Sequence, residues 1–293
     1  MVEQTEPDPG EDILQAVGIL GGEIESIEEI TRLRATERRR ACFRLRLKDG
    51  RTVKGRRFGS AEKREAVTAF YPALDGLPFS RLLSVYGAAT IDEWVHGEPI
   101  SADDLSVESV RQLASILGTL NRRKVPREVS TANVCGVDWH SNRLKNLLCE
   151  LNSGGHIDSN IATKLFDLAI DSRPLGLECG VIHTDFHPQN MILKQPDEIW
   201  TIDNEGLRLG VLDYDIARCW RQWPMTQAHR ETFCQAYSQF RCLTSFLAHQ
   251  TFWSTCTLVL TATINARFGR PIQSFLEKLD RVAQNEDNVL WPR

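Results

Sequence analysis

Two periodicities of apolar side chains run along this sequence and predict two kinds of structure. Over residues 43–48 apolar and basic side chains alternate, which is the two-residue period of a half-buried β-strand. Over residues 107–120 and 144–151 valines and leucines recur every three or four positions, as they do on one face of a helix. The first part of the chain is therefore expected to hold a sheet, and the later part is expected to be mainly helical.

A change of pattern near residue 97 divides the chain. Gly97 and Pro99 predict a turn or hinge at this point, with strand patterns before it and helical patterns after it. Residues 1–12 contain two prolines and a glycine and predict a flexible tail. We expect an α+β chain with a small sheet-rich lobe over residues 13–96 and a larger, mainly helical lobe over residues 97–293.

The strand signal continues into a predicted hairpin. Asp49-Gly50 is a strong signal for a two-residue turn. Such a turn pairs Leu45 with Lys54, and directly opposed residues share a face of the sheet. Lys54 would then lie on the apolar face beside Leu47. A lysine there either has an anionic partner or extends to the sheet edge, and both interpretations are open.

A helix is expected after this hairpin. Ser60 is a suitable N-cap, and Pro72 ends the helix after Tyr71. Glu62 and Glu65 lie three residues apart on this helix, so their side chains project from nearby faces.

Composition excludes several classes of protein. The net charge of −4 gives no general reason to expect a nucleic-acid or membrane partner. The eight cysteines form no Cys-x-x-Cys pair, so a zinc site has no support. The first residues include neither a basic nor an apolar segment, and we predict a cytoplasmic protein. Residues 242–266 lack charged side chains but contain many polar ones, which favours a helix buried in a lobe over a membrane span.

Charge is concentrated in one segment. Residues 31–64 hold fourteen bases against three acids. A solvated basic face of the sheet and a site for phosphate oxygens are equally supported interpretations. Binding of nucleic acid is a third interpretation, but no other feature of the chain supports it.

The most informative segment contains a loop and a second predicted hairpin. Short strands over residues 191–193 and 199–202 bring Asn190 and Asp203 to the same end of this hairpin. An amide oxygen and a carboxylate are ligands suited to Mg²⁺. Asp185 precedes Asn190 by five residues and could accept a proton from a hydroxyl group.

Two other interpretations apply to this segment. His183, Asp185 and His187 alternate and could bind a transition metal if they lay on a strand. Pro188 favours a loop instead, and a metal site of that kind leaves Asn190 without a role. These polar residues could also only hold loops together, which is the favoured interpretation for His183 alone.

A family resemblance rests on two motifs, His183-Thr-Asp-Phe-His-Pro-Gln-Asn190 and Ile202-Asp203-Asn-Glu205. They resemble the catalytic segment of the aminoglycoside-phosphotransferase-like branch of the protein-kinase fold, a family of small-molecule kinases. The resemblance implies a bilobal protein-kinase-like fold with a small antiparallel-sheet N-lobe and a larger helical C-lobe.

The resemblance also implies roles for residues of the C-lobe. It makes Asp185 the catalytic base and Asn190 and Asp203 the magnesium ligands. Tyr214-Asp215-Ile216-Ala217 matches a family motif whose aspartate braces the catalytic loop, so Asp215 and His183 are expected to give structural support.

The same comparison implies that the N-lobe binds ATP. Lys54 matches the strand lysine that holds the nucleotide phosphates, and Glu65 matches its helix partner. Glu93 to Val95 match the hinge whose backbone binds adenine. The sequence departs from the family pattern at the phosphate-covering loop, because residues 31–41 are rich in arginine and contain no glycine.

The resulting hypothesis is an ATP- and Mg-dependent phosphotransferase that acts on a hydroxyl of a small molecule. Residues 204–293 hold eight acids against ten bases, which disfavours a polycationic aminoglycoside as acceptor. They also hold twelve aromatic residues, which either form ordinary core or favour a less charged acceptor or a single quaternary ammonium group. A nucleotide-binding pseudokinase with a sensing or scaffolding role is the alternative.

Overall fold

The computed structural model describes residues 8–31, 41–101, 105–129, 134–176, 178–194 and 198–284. These residues divide into two compact units. The first comprises the described parts of Met1–Pro99, Pro126–Val129 and Asn190–Gly206, and the second comprises those of Ile100–Val125, Ser130–Gln189 and Leu207–Arg293. Residues 190–206 thus belong to the first unit, whereas the predicted boundary after residue 96 assigns them to the C-lobe. Most of the arginine-rich loop lies outside the described residues.

Within the described residues, strands predominate before residue 100 and helices predominate after it. The strands are β1 (Ile24–Glu29), β2 (Ala41–Leu47), β3 (Thr52–Arg57), β4 (Leu82–Tyr86), β5 (Ala89–Glu93), β6 (Glu98–Pro99), β7 (Cys179–Ile182), β8 (Met191–Lys194), β9 (Glu198–Thr201) and β10 (Arg208–Val211). The helices are α1 (Glu11–Ile19), α2 (Ala61–Thr68), α3 (Val107–Asn121), α4 (Val137–Ser153), α5 (Ser159–Asp171), α6 (Leu212–Gln222), α7 (Gln227–Tyr237), α8 (Thr244–Ala248), α9 (Gln250–Arg267) and α10 (Gln273–Ala283).

The first unit is built on an antiparallel sheet with the strand order β1-β2-β3-β5-β4. Its apolar face carries Phe43, Leu45 and Ile91, and it packs with α1 in one buried core. α1 begins at Glu11, so the last two residues of the predicted tail are helical. Asp12 accepts a hydrogen bond from the Ala88 N–H at 2.8 Å, which ties the start of α1 to the sheet.

The β2–β3 hairpin differs from its predicted form. The Leu47 N–H donates to the Arg51 carbonyl at 2.8 Å, so the loop holds three residues rather than two. Gly50, the last of them, has a φ of +86°, which is the left-handed conformation that such loops require. The register therefore pairs Lys54 with Arg44 instead of Leu45. The prediction that Lys54 lies on the apolar face is wrong, and Lys54 lies on the opposite, polar face of the sheet.

The remaining elements of the first unit frame this polar face. Ser60 caps α2 as predicted by accepting a hydrogen bond from the Lys63 N–H, but the helix ends at Thr68 and a 3₁₀ turn follows over Tyr71–Leu74. A smaller antiparallel sheet has the order β6-β8-β9, and its β8–β9 hairpin is the one predicted from the sequence.

The second unit is mainly helical, with β7 and β10 forming a two-stranded antiparallel ladder. The predicted uncharged segment is divided between α8 and α9, which meet at His249, and Phe252, Trp253 and Val259 on α9 are completely buried. No helix in the described parts of the chain combines the length and the apolar character that a membrane span needs. The antiparallel sheet followed by a helical unit confirms the predicted α+β, protein-kinase-like fold class.

Candidate active site

The polar face of the sheet carries two cations next to one carboxylate. The Lys54 Nζ atom lies 3.7 Å from Asp203 Oδ1, and Arg56 donates a hydrogen bond to the same oxygen. The other terminal nitrogen of Arg56 lies 3.7 Å from Glu205 Oε2. Arg56 is only 2% exposed, so both of its carboxylate partners act on a charge that water hardly reaches.

Arg56 is the functional candidate that the sequence analysis missed. Burial by itself would lower the pKa of its guanidinium, but the surrounding negative charges, above all Asp203, raise that pKa well above its usual value. Arg56 therefore stays charged. Residues two positions apart on a strand share a face, so the assignment of Lys54 already implied that Arg56 lies beside it.

A buried carboxylate lies opposite Lys54 on β5. Asp92 pairs with Lys54 across the sheet and accepts hydrogen bonds from the Tyr71 hydroxyl at 2.8 Å and the Thr90 hydroxyl at 3.3 Å. Burial raises the pKa of Asp92, although the Arg56 charge and the Tyr71 hydrogen bond act against this shift. The polar face thus contains acids and bases in a connected cluster.

The structure places the predicted helix partner elsewhere. The Glu65 side chain is 66% exposed and forms its ion pair with Arg64 at 3.3 Å, whereas Lys54 pairs with Asp203. The Lys54–Glu65 pair that the resemblance implies is not the arrangement seen here.

The predicted hinge follows directly on β5. Glu93 binds Arg81 through its side chain at 2.9 Å, and its N–H donates to the Arg81 carbonyl at 2.8 Å. Val95 is buried, and among the described residues its backbone N–H has no hydrogen-bond partner. An amide donor without a partner is suited to bind an acceptor atom of a ligand.

The β8–β9 hairpin aligns the two predicted magnesium ligands. The Ile202 N–H donates to the Asn190 carbonyl at 2.8 Å, which places Asn190 opposite the residue that precedes Asp203. Asp203 has a φ of +69°, a left-handed conformation that is strained for a non-glycine residue and is typical of functional sites. A carboxylate and an amide oxygen at one hairpin end form a donor set that fits Mg²⁺.

The second unit holds Asp185 in a compact turn after β7. Asp185 Oδ1 lies 3.4 Å from His187 Nε2, 3.4 Å from Gln222 Nε2 and 3.8 Å from Arg218 Nη2. Burial alone would raise the pKa of this carboxyl, but His187 and Arg218 lower it below its usual value. Asp185 is therefore ionised and can accept a proton or a hydrogen bond.

Asp215 holds the loop that carries Asp185. Its carboxylate accepts hydrogen bonds from the backbone N–H groups of His183 and Thr184, each at 2.8 Å. Burial raises the pKa of Asp215 to about 6, and these two donors counteract the shift. Arg218 donates to the Thr184 carbonyl at 3.1 Å. Two side chains of α6 therefore hold this turn, one through its N–H groups and the other through a carbonyl group.

The alternative transition-metal site finds no support. His183 is completely buried and packs edge-on against Phe186 at 5.9 Å. No group of three or more His, Cys, Asp or Glu side chains is arranged to hold a metal ion within the described ranges.

A model of the phosphotransferase enzyme family matches residues 29–247. The chain belongs to this family. The match confirms the predicted family and the predicted enzyme class, a small-molecule phosphotransferase. A comparison with curated protein sequences gives no match, so the family model and the fold carry the assignment.

Solved structures share the fold of this phosphotransferase at low sequence identity. The choline kinase LicA from Streptococcus pneumoniae has a TM-score of 0.64 and 16% identity, with 95% of this chain and 97% of that chain covered. An ethanolamine kinase from Plasmodium vivax has a TM-score of 0.62 and 15% identity, with 89% and 82% covered. The amicoumacin kinase hAmiN, in complex with AMP-PNP and Ca²⁺, has a TM-score of 0.67 and 12% identity, with 92% and 89% covered.

The aromatic side chains of this phosphotransferase after Asp203 are mostly core. The six that the sequence analysis singles out are all buried, namely Tyr214, Trp220, Trp223, Tyr237, Phe252 and Trp253. Trp253 and Tyr214 pack around the buried His140, and Trp223 donates to the Phe186 carbonyl at 2.8 Å. Of the two interpretations of these aromatics, the structure favours ordinary core.

Proposed function

We propose that this protein transfers the γ-phosphoryl group of ATP to a hydroxyl group of a small molecule. The observation that carries the proposal is the Asp185 carboxylate, which is ionised and held on a loop braced by Asp215. Membership in the phosphotransferase family supports the reaction class, and the AMP-PNP and Ca²⁺ bound to the amicoumacin kinase support the use of a nucleotide and a divalent metal.

The first unit supplies groups suited to a nucleotide. Lys54 is a cation on the polar face of the sheet, where it can bind phosphate oxygens, and the buried Arg56 beside it holds Asp203. The free Val95 N–H, next to Glu93, can donate to the adenine ring. Asn190 and Asp203 would hold Mg²⁺, which when bound neutralises phosphate charge.

The second unit supplies the group that acts on the acceptor. An ionised Asp185 can orient the acceptor hydroxyl and take its proton as the oxygen attacks phosphorus. His187 and Gln222 each contact Oδ1 of Asp185, and they restrict the carboxylate to one orientation. Because Asp215 binds the backbone of His183 and Thr184, it positions Asp185 without touching the acceptor.

Replacement of the base tests this proposal. Asp185→Ala should lower kcat by roughly 10²- to 10⁴-fold with ADP affinity nearly unchanged, because the side chain acts in the chemical step. Asp167→Ala, at an exposed position on α5, is the matched control and should keep the parent rate. Turnover of Asp185→Ala at the parent rate would show that Asp185 is not the base.

A nucleotide-binding pseudokinase is the second candidate. It is favoured by the contacts of Asp203, which already binds Lys54 and Arg56 where a catalytic enzyme would need it for metal. The two functions differ in one experiment, a screen of hydroxyl compounds for ADP release. Tight nucleotide binding without transfer to any acceptor would support the pseudokinase.

We do not expect a polycationic aminoglycoside as the acceptor. Each ammonium group needs an acidic partner when it leaves water, and the helices after Asp203 carry more bases than acids. Steady-state assays with kanamycin and streptomycin test this, and a kcat/KM above ~10⁴ M⁻¹s⁻¹ for either would contradict it. A cytoplasmic location and the absence of a nucleic-acid partner stay predictions.

A further inference from the structure

One face of α6 continues from the proposed base into a row of long polar side chains. Arg221 and Gln222 follow Arg218 by three and four residues, so each of them projects from the same side of the helix as Arg218. Arg218 and Gln222 contact the Asp185 carboxylate, at 3.8 Å and 3.4 Å. Arg221 therefore lies beside the groups that contact the proposed base.

Arg221 is a partly buried cation without an acidic partner. Its guanidinium lies 5.5 Å from the ring centre of Phe275 on α10. Among the described residues it forms no ion pair and no hydrogen bond. Burial lowers the pKa of Arg221. Lys278, one turn beyond Phe275 on α10, also has a lowered pKa, first because of partial burial and second because of the Arg221 charge.

The acids of α10 do not compensate these two cations. Glu277 accepts a hydrogen bond from Gln273 at 3.3 Å, and Asp280 accepts one from Gln284 at 2.8 Å. Both contacts run along α10 itself. Like charges that stay close without an acid between them raise the free energy of the folded state, so an external anion would relieve this cost.

Two other arginines of the second unit have carboxylate partners. Arg241 binds the buried Asp213 at 2.6 Å, and Arg267 binds Glu150 at 2.6 Å. Arg221 differs from them in environment, because no carboxylate of the described chain meets it.

The same region is poorly suited to a cationic acceptor. Arg230 lies 5.7 Å from the ring centre of Trp220, and Arg221 covers Phe275. Arginines of the chain itself thus already cover these two rings, which are not open to a quaternary ammonium group.

We propose that the acceptor carries an anionic group, a carboxylate or a phosphate ester, which Arg221 and Lys278 bind while its hydroxyl group reaches Asp185. This inference rests on the proposed function, because it assigns the substrate class of the same site. A planar guanidinium binds either anion through two parallel hydrogen bonds, and the lysine adds a second charge.

The test is a library of hydroxyl compounds in matched sets. Each set contains a carboxylate, a phosphate ester, the neutral parent and the amine, for example gluconate, glucose 6-phosphate, glucose and glucosamine. Transfer is followed as ADP release. Calorimetry on the ADP-bound protein measures binding of gluconate and of inorganic phosphate without any turnover.

We expect transfer only to anionic members of the sets. Arg221→Gln and Lys278→Gln should each raise KM for the acceptor roughly 10- to 100-fold, with kcat and ADP affinity unchanged. Arg221→Lys should recover part of this loss. Arg270→Gln is the matched control, since Arg270 also lies 5.5 Å from a phenylalanine ring, that of Phe268, but is exposed.

Two other outcomes separate this inference from the function on which it rests. Asp185-dependent transfer confined to neutral or amine members would overturn the anionic acceptor and leave the phosphotransferase proposal intact. If no compound is phosphorylated, the proposed reaction loses its support, and calorimetry decides about the anion site. Binding of gluconate or phosphate that Arg221→Gln abolishes supports that site, whereas absence of binding to the parent protein overturns it.

Discussion

The basic regions around Arg56 in the first unit and around Arg221 in the second unit differ in their counter-charges. On the sheet of the first unit, Lys54 and Arg56 meet the carboxylates of Asp203 and Glu205. On α6 of the second unit, Arg221 meets no carboxylate of the described chain and lies over Phe275, one turn before Lys278 on α10. A buried charge is tolerated where an opposite charge accompanies it. The first region therefore contains its own counter-charges, whereas the second is complete only with an anion from outside.

The largest change in the free energy of unfolding should come from breaking the balanced region, the cluster in which Lys54 and Arg56 meet Asp203 and Glu205. Arg56→Met leaves Asp203 and Glu205 without their buried cation. Loss of one partner of a buried pair costs about 3–5 kcal/mol, and we expect a loss near the lower end of this range because both carboxylates are partly exposed. Arg221→Met removes a cation that has no partner, and its free energy of unfolding should stay close to that of the parent. Urea unfolding of both variants measures the difference. Equal losses would show that the two regions do not differ as described.

Removal of Asp203 should leave the cations of the first region short of a carboxylate, as Arg221 is in the second region. In Asp203→Ala, Lys54 and Arg56 lose a shared carboxylate, and the metal loses its only anionic ligand in the predicted pair. Nucleotide binding without metal should become tighter, and the tightening by Mg²⁺, about 2 kcal/mol or roughly 30-fold, should disappear. Calorimetry with and without Mg²⁺ tests this. Persistence of the full Mg²⁺ effect in the variant would contradict the assignment of Asp203.

The hairpin shows where sequence reasoning succeeds for an incorrect reason. Asp49-Gly50 signals a tight turn, but the sequence does not tell whether Gly50 ends a two-residue or a three-residue loop. A slip of one residue moves every side chain of β3 to the other face. Of the two interpretations left open for Lys54, the anionic partner agrees with the structure, although its basis, an inward apolar face, is wrong.

Chain-local features were predictable, and contacts between distant segments were not. The β8–β9 hairpin follows from residues close in sequence, and so does the alignment of Asn190 with Asp203. The pairing of Glu65 depends on where α2 lies on the sheet, and the sequence does not determine this. The neighbourhood of Arg221 and Lys278 likewise requires the packing of α10 near α6, which no local pattern reveals.

His140 is another buried basic side chain of the second unit, but unlike Arg221 it can lose its proton. His140 is 2% exposed, and burial, followed by the charges of Arg143 and Arg208, lowers its pKa to about 3. The unfolded chain takes up this proton below pH 6.5, but the folded protein does not until about pH 3. Stability is therefore lost as the pH falls through this window, by about 2 kcal/mol between pH 6.5 and pH 5.

Replacement of His140 isolates this contribution. His140→Phe should lose about 2 kcal/mol less than the parent between these two pH values, and the exposed His156→Gln should behave like the parent. The quantity to compare is the acid-induced loss of unfolding free energy in the variant and in the parent. Asp215, whose pKa is raised to about 6, stabilises both folded proteins on acidification and partly offsets the loss in each of them. Urea unfolding at both pH values gives this quantity. An identical acid loss in His140→Phe would show that His140 titrates normally.

The smallest expected effect concerns the repulsion between Arg221 and Lys278. Most of the Lys278 side chain is exposed and only part of it is buried, so water and salt screen most of the interaction. Arg221→Gln should therefore stabilise the protein by less than about 1 kcal/mol at low salt. The gain should vanish near 1 M salt, where the Debye length is about 3 Å, while the loss in Arg56→Met should change little because that cluster is buried. Thermal unfolding at low and high salt, with Arg270→Gln as the neutral control, measures both trends. If Arg221→Gln destabilised the protein equally at both salt concentrations, Arg221 would have to take part in a stabilising interaction within the chain. The region around Arg221 would then not lack a partner, and the argument for an anionic acceptor would lose its basis.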